Sequence, residues 1–72
     1  MMALMAEEVV KNNVHELRTM AGLTQAELAE AVDVTRQTII AIEKGNYTPS
    51  VLLALKLSRT FDTSVNDIFL YE

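Results

Sequence analysis

Residues Thr24 to Glu43 read TQAELAEAVDVTRQTIIAIE. Thr24 can N-cap a helix, and Glu27 stands where a capping box needs its acid. Leu23 before the cap and Leu28 at the fourth helical position make a hydrophobic staple. The helix is predicted over about Gln25 to Ala31. Val32-Asp33-Val34 forms a turn, with Asp33 in the left-handed conformation that Asp tolerates better than most residues. Thr35 caps a second helix that runs to about Glu43. At about 100° per residue, with Ile39 and Ile42 inward, Thr35 and Thr38 fall on the inner flank. Gln37, Ile40, Ala41 and Lys44 then point outward, and Arg36 sits at the boundary.

A short helix, a tight turn and a second helix with polar side chains at its front is the layout that presents a helix to the major groove of DNA. The residue types suit that use. Arginine pairs with guanine O6 and N7, and glutamine with adenine N6 and N7, both in two-pronged fashion. Arg36 and Gln37 occupy the first two positions after the cap. Ile40 could touch a thymine methyl one turn later, and Ala41 is small enough to let the backbone approach. Gln25 and Thr35 stand at helix starts, where a side chain and an amide can grip phosphate oxygens. Lys44, Asn46 and Tyr47 follow the second helix and could bind the phosphate backbone. The competing roles are ordinary ones: Arg36 and Gln37 as solvated first-turn residues, Ile40 packed on Leu52 or a second chain, and Tyr47 as a loop anchor.

Working outward, the first helix is predicted over about Val9 to Met20, with Val10, Val14, Leu17 and Ala21 at helical spacing and Gly22 closing it. Residues 1–8 read either as an early start of that helix or as a flexible N-terminal extension. Gly45 closes the recognition helix, and Asn46 to Pro49 is a loop. Ser50 caps a fourth helix over Val51 to Thr60, with Val51, Ala54, Leu55, Ser58 and Phe61 near one face. Ser64 caps a short fifth helix, and Phe69 to Glu72 is an apolar tail, extended or a last helical turn. His15 reads as a solvent-facing residue of the first helix.

Composition narrows the function classes. At 72 residues the chain makes one small domain with a thin stability margin. It has no cysteine and a single histidine, which argues against disulfides, thiolate metal sites and histidine-rich ones. No apolar run approaches a membrane span, and MMALMAEEVV lacks a basic n-region, so a soluble cytoplasmic protein is expected. There is neither a triad-like spacing nor a glycine-rich phosphate loop, so neither catalysis nor a cofactor is expected. The formal net charge is −4, opposite to the usual sign for a DNA binder. Between Thr35 and Ser50, however, the charged residues are Arg36, Glu43 and Lys44, which leaves that stretch net positive.

These residues resemble the lambda-repressor-like (Cro/repressor, xenobiotic response element) helix-turn-helix family. The resemblance covers about Asn13 to Tyr71 and is carried by VHELRTMAGLTQAELAEAVDVTRQTIIAIEKGNYTPS and ALKLSRTFDTSVNDIF. It implies an all-α, five-helix DNA-binding domain with a short C-terminal tail. It implies DNA contacts at Gln25, Thr35, Arg36, Gln37, Thr38 and Ala41, and backbone contacts from Lys44 to Tyr47. It also implies a structural pair between Arg18 and Glu43, and operator binding as a homodimer. The chain departs from the pattern at Asp33 and Asp62, where glycine is common, and at Ile40 and Leu52, which tend to be polar. With Met1, Met2, Leu4, Met5 and Leu70, those two apolar residues suggest contact with another chain, placed first at Ile68 to Tyr71 and second at the N-terminal extension. The expected function is a sequence-specific DNA-binding transcriptional regulator, with repression as the simplest mode. The rival is a protein-interaction module, or the antitoxin of a toxin–antitoxin pair, on the same fold.

Overall fold

The computed structural model describes residues 10–71. Five helices and a two-stranded ribbon follow in the order β1 (Val10–Asn12), α1 (Val14–Met20), α2 (Gln25–Ala31), α3 (Arg36–Glu43), α4 (Val51–Phe61), α5 (Val65–Ile68) and β2 (Phe69–Tyr71). The N-terminal extension with Met1, Met2, Leu4 and Met5 lies outside the described residues.

Four helix ends share one device. The residue after the last helical turn has positive φ: Gly22 (75°), Asp33 (62°), Gly45 (79°) and Asp62 (52°). In each case the next amide folds back to a carbonyl one turn earlier. Leu23 N–H donates to Arg18 O, Val34 to Ala29 O, Asn46 to Ala41 O and Thr63 to Ser58 O, all within 2.9–3.1 Å. This satisfies carbonyls that a helix end leaves orphaned. The left-handed state at Asp33 was legible in the sequence. At Asp62 the signal was indirect, a position where the resembled family commonly carries glycine.

Three helix starts, those of α2, α3 and α4, are side-chain capped; the cap expected from Ser64 on α5 does not form, because its Oγ donates to Asp67 Oδ2 at 3.0 Å. Thr24 Oγ1 accepts from Glu27 N–H at 3.0 Å, and Glu27 Oε1 accepts from Thr24 N–H at 2.8 Å, closing the box. Leu23 packs against the core that contains Leu28. Thr35 and Ser50 cap α3 and α4 without a box, each side chain accepting from one amide, that of Thr38 and of Leu53.

Further expectations need correction. The first helix begins at Val14, not Val9. Asn12 Oδ1 accepts from Val14 N–H at 3.0 Å, which gives the backbone an alternative to continuing the helix upstream. Val10 to Asn12 instead pairs antiparallel with the tail, Val10 opposite Tyr71, Lys11 opposite Leu70 and Asn12 opposite Phe69. The tail is therefore extended, and its backbone is engaged by its own chain.

Another correction concerns α4. Leu53, Ala54 and Leu57 are buried, whereas Val51 and Leu55 are exposed. Apolar residues cover more of this helix than one core can take, so periodicity fits more than one inward face.

The core joins Val14, Leu28, Ala29, Val32, Ile39, Ile42, Leu53, Leu57 and Ile68, with Leu17, Leu23, Val34, Phe61 and Phe69 around it. All five helices contribute a buried side chain. Ile68 is fully enclosed, so it cannot form the outer contact expected of it. The two helices of the turn unit pack on each other, with Leu28 and Ala29 from α2 and Ile39 and Ile42 from α3 facing one interior.

Candidate nucleic-acid interface

The recognition helix α3 is held from its inner side and at both ends. Ile39 and Ile42 are fully buried. At its start, Thr35 Oγ1 accepts from Thr38 N–H at 3.3 Å and lies 3.2 Å from Thr38 Oγ1. At its end, Asn12 Nδ2 donates to Ile42 O at 2.8 Å, tying the helix to β1.

Glu43 makes the strongest anchor. Its side chain is 7% exposed and Arg18's is 12%. Arg18 Nε donates to Glu43 Oε2 at 2.6 Å, and Nη2 donates to Oε1 at 3.3 Å, a two-pronged pair between α1 and α3. Arg18 Nη1 also donates to Leu23 O at 2.9 Å, which fixes the α1–α2 connection. The guanidinium thereby ties α1 to both α3 and the α1–α2 connection. The hydrogen bond to Glu43 raises the Arg18 pKa above its ordinary value, against the opposing effect of burial. Burial pushes the Glu43 carboxyl up, but hydrogen bonds from Arg18, Gln25 and His15 and the Arg18 charge outweigh it, so its pKa lies below the usual range.

This arrangement gives a signed pH dependence. A carboxylate whose folded pKa is depressed contributes stability above its unfolded pKa of about 4.3, lost as pH falls through the folded value. Urea denaturation of wild type and Glu43→Gln should show a stability difference that is full at about pH 6 and shrinks as pH falls below the unfolded value of about 4.3. A difference that stays constant over that range would contradict the assignment.

Gln25 belongs to the same cluster. Its Nε2 donates to Glu43 Oε1 at 3.1 Å. An amide nitrogen carries two hydrogens, so one remains for a phosphate oxygen while the other holds the side chain in place. His15 is exposed, yet its Nδ1 lies 3.0 Å from Arg18 Nη2 and 3.5 Å from Glu43 Oε1. Sequence reasoning left His15 as solvated and missed Asn12 altogether. An asparagine pair ahead of a helix start was the available signal for Asn12, because asparagine favours caps over helix interiors.

Arg36 and Gln37 are exposed at the front of α3. Ile40 and Ala41, a turn later, are half-buried, so Ile40 is less open than the sequence suggested. Lys44, Asn46 and Tyr47 are exposed, in and after the Gly45 turn, and Thr38 is half-buried. The structure thus brings Thr35, Arg36, Gln37, Thr38, Ile40, Ala41 and Lys44 together on or beside one short helix. Gln25 reaches that helix through Glu43, and Asn46 and Tyr47 continue from its end.

A family profile described as helix-turn-helix matches residues 14–68. The chain belongs to the Cro/C1-type helix-turn-helix family. Members of this family are DNA-binding transcription regulators. The HTH-type transcriptional regulator YgzD of Bacillus subtilis is 52% identical over 63 residues, which span 88% of this chain and 96% of that protein. Among solved structures, the restriction-modification controller protein C.AhdI of Aeromonas hydrophila has a TM-score of 0.69 at 31% identity, covering 75% of this chain and 82% of its own. The transcriptional regulator VanUg has a TM-score of 0.73 over 100% of this chain and 96% of its own; at 20% identity that likeness shows the fold alone. Among the described residues no helix is long and apolar enough to cross a membrane, and no cluster of His, Cys, Asp or Glu could hold a metal ion.

Proposed function

We propose that the chain is a cytoplasmic, sequence-specific transcription regulator that binds a pseudo-palindromic operator as a homodimer and acts as a repressor by occluding it. The observation that carries this reading is the open front of α3, with Arg36 and Gln37 exposed while Glu43 and Ile42 lock the helix from behind. Arg36 and Gln37 read base edges, and Ile40 and Ala41 line the groove floor one turn on. Gln25, Thr35, Thr38, Lys44, Asn46 and Tyr47 hold phosphates on either side. The half-sites lie about one helical turn, ~34 Å, apart. The likeness to C.AhdI and YgzD supports the regulatory role.

The net charge of −4 limits non-specific attraction, so direct contacts supply much of the affinity. Selection from random DNA at low salt should enrich one symmetric sequence. The salt slope on that sequence should be shallow, and Lys44→Gln should reduce it by about one unit while weakening all sequences alike. If no sequence is enriched at any salt, the interaction-module reading replaces this one; the exposed Val51, Leu52 and Leu55 are what favour it.

A further inference from the structure

His15, on α1, has a side chain that is 61% exposed, yet one edge of its ring is held. Its Nδ1 stands 3.0 Å from Arg18 Nη2 and 3.5 Å from Glu43 Oε1. A guanidinium nitrogen only donates, so the shorter contact requires Nδ1 to accept. A neutral imidazole carries one ring proton, and with Nδ1 accepting, that proton sits on Nε2. Protonation of the ring adds a hydrogen to Nδ1, which Glu43 Oε1 is placed to accept, and leaves Nε2–H where it was. In both states Nε2 is a donor. It has no partner among the described residues.

The same carboxylate oxygen also holds Gln25. Glu43 Oε1 accepts from Gln25 Nε2 at 3.1 Å. His15 from α1 and Gln25 from the start of α2 therefore stand side by side on one atom. Each keeps an N–H that the cluster does not use: the second amide hydrogen of Gln25 and the Nε2–H of His15. The carboxylate beneath them does not repel an anion placed outside. Its side chain is 7% exposed, and Arg18 neutralises it at 2.6 Å. Two fixed donors over a neutralised pair suit the oxygens of a phosphate, which only accept.

We infer that His15 Nε2–H donates to the DNA backbone, at the phosphate that Gln25 contacts. This rests on Gln25 as a phosphate ligand and extends the contact surface from α2 to α1. Arg18 and Glu43 then serve twice: they lock α3, and they set the tautomer and direction of the ring, as the partner of a histidine nitrogen does in general. One phosphate is gripped from two helices whose relation is already fixed by the Arg18 bonds to Leu23 O and Glu43. A backbone contact carries no base preference, so it strengthens binding to every sequence alike.

The competing account makes the ring a support for Arg18, in which only Nδ1 counts. Two substitutions separate the nitrogens. His15→Asn can offer an oxygen where Nδ1 stands and nothing at Nε2. His15→Gln reaches further, and can offer an N–H near the Nε2 position without an acceptor at Nδ1.

The test is fluorescence anisotropy of the full chain, at low salt, on a labelled duplex recovered by selection and on an unrelated duplex of equal length. His15→Asn should weaken both about fivefold or more, and His15→Gln should stay within about twofold of wild type. As the single histidine of the chain, His15 also gives an unambiguous NMR signature. In free wild type at about pH 8.5, where imidazole is neutral, long-range proton–nitrogen correlation should place the proton on Nε2. Its ring signals should shift when either duplex is added. A proton on Nδ1, ring signals that ignore bound duplex, or equal losses in the two variants would overturn the assignment. Wild type that binds duplex while His15→Asn binds as tightly overturns this contact alone and leaves the regulator standing. Wild type that binds no duplex overturns both.

Discussion

Replacing Glu43 by alanine should destabilise the chain by ~3 kcal/mol, the lower end of the cost of breaking a buried ion pair, because Arg18 and Glu43 are part-buried. Arg18 loses its two-pronged partner while its side chain remains 12% exposed, and Gln25 loses its acceptor. In a domain of this size each ~1 kcal/mol moves Tm by roughly 4–8 °C, so Tm should fall by more than ~12 °C. The margin is thin enough that the variant could unfold outright, so a second variant is needed. Exchanging the pair together, Arg18→Met with Glu43→Leu, removes both charges and leaves apolar groups of similar length. Such replacements of buried pairs are often neutral or better. The double variant should therefore recover most of the loss, measured by urea unfolding at pH 7. If Glu43→Ala costs less than ~1 kcal/mol, the pair behaves as a surface bridge and does not fix α3.

That result bears on how much of the molecule its sequence disclosed. The turn unit was legible because every local signal agreed: the Thr24–Glu27 box, the Leu23 staple, the left-handed Asp33 and the Thr35 cap each point to the same boundaries. Arg18 and Glu43 are far apart in sequence, and no helix periodicity links them; they came only from the family resemblance. The ribbon was missed for a related reason. Val10 to Asn12 finds its partner at Phe69 to Tyr71, at the far end of the chain, and three-residue strands carry no period-2 signal of their own. The inner face of α4 was misassigned because Val51, Leu52 and Leu55 are as apolar as Leu53 and Leu57. Only packing decides which of them the core takes. The half-burial of Ile40 has the same origin: helix projection gives direction, not the neighbours that crowd a side chain.

Arg36→Ala and Gln37→Ala should each weaken operator binding by ~1–3 kcal/mol, and together by more than either alone. The two differ from Glu43→Ala in a way that separates function from folding. Both side chains are exposed and lie outside the core, so unfolding free energies from urea titration should stay within about 0.5 kcal/mol of wild type. Specificity should change along with affinity. Losing a two-pronged arginine relaxes the preference for guanine at one position of each half-site, and losing the glutamine relaxes a preference for adenine at a neighbouring one. Lys44→Gln, by contrast, should lower binding to all sequences alike and leave the preferred bases unchanged. Competition binding against a panel of single-base operator variants distinguishes these outcomes. If Arg36→Ala and Gln37→Ala both retain wild-type affinity and the same base preferences, the front of α3 does not read DNA. In a homodimer each substitution acts at both half-sites, so the loss should be close to twice that measured on an isolated half-site. That doubling ties the reading of bases by α3 to the pairing of two chains.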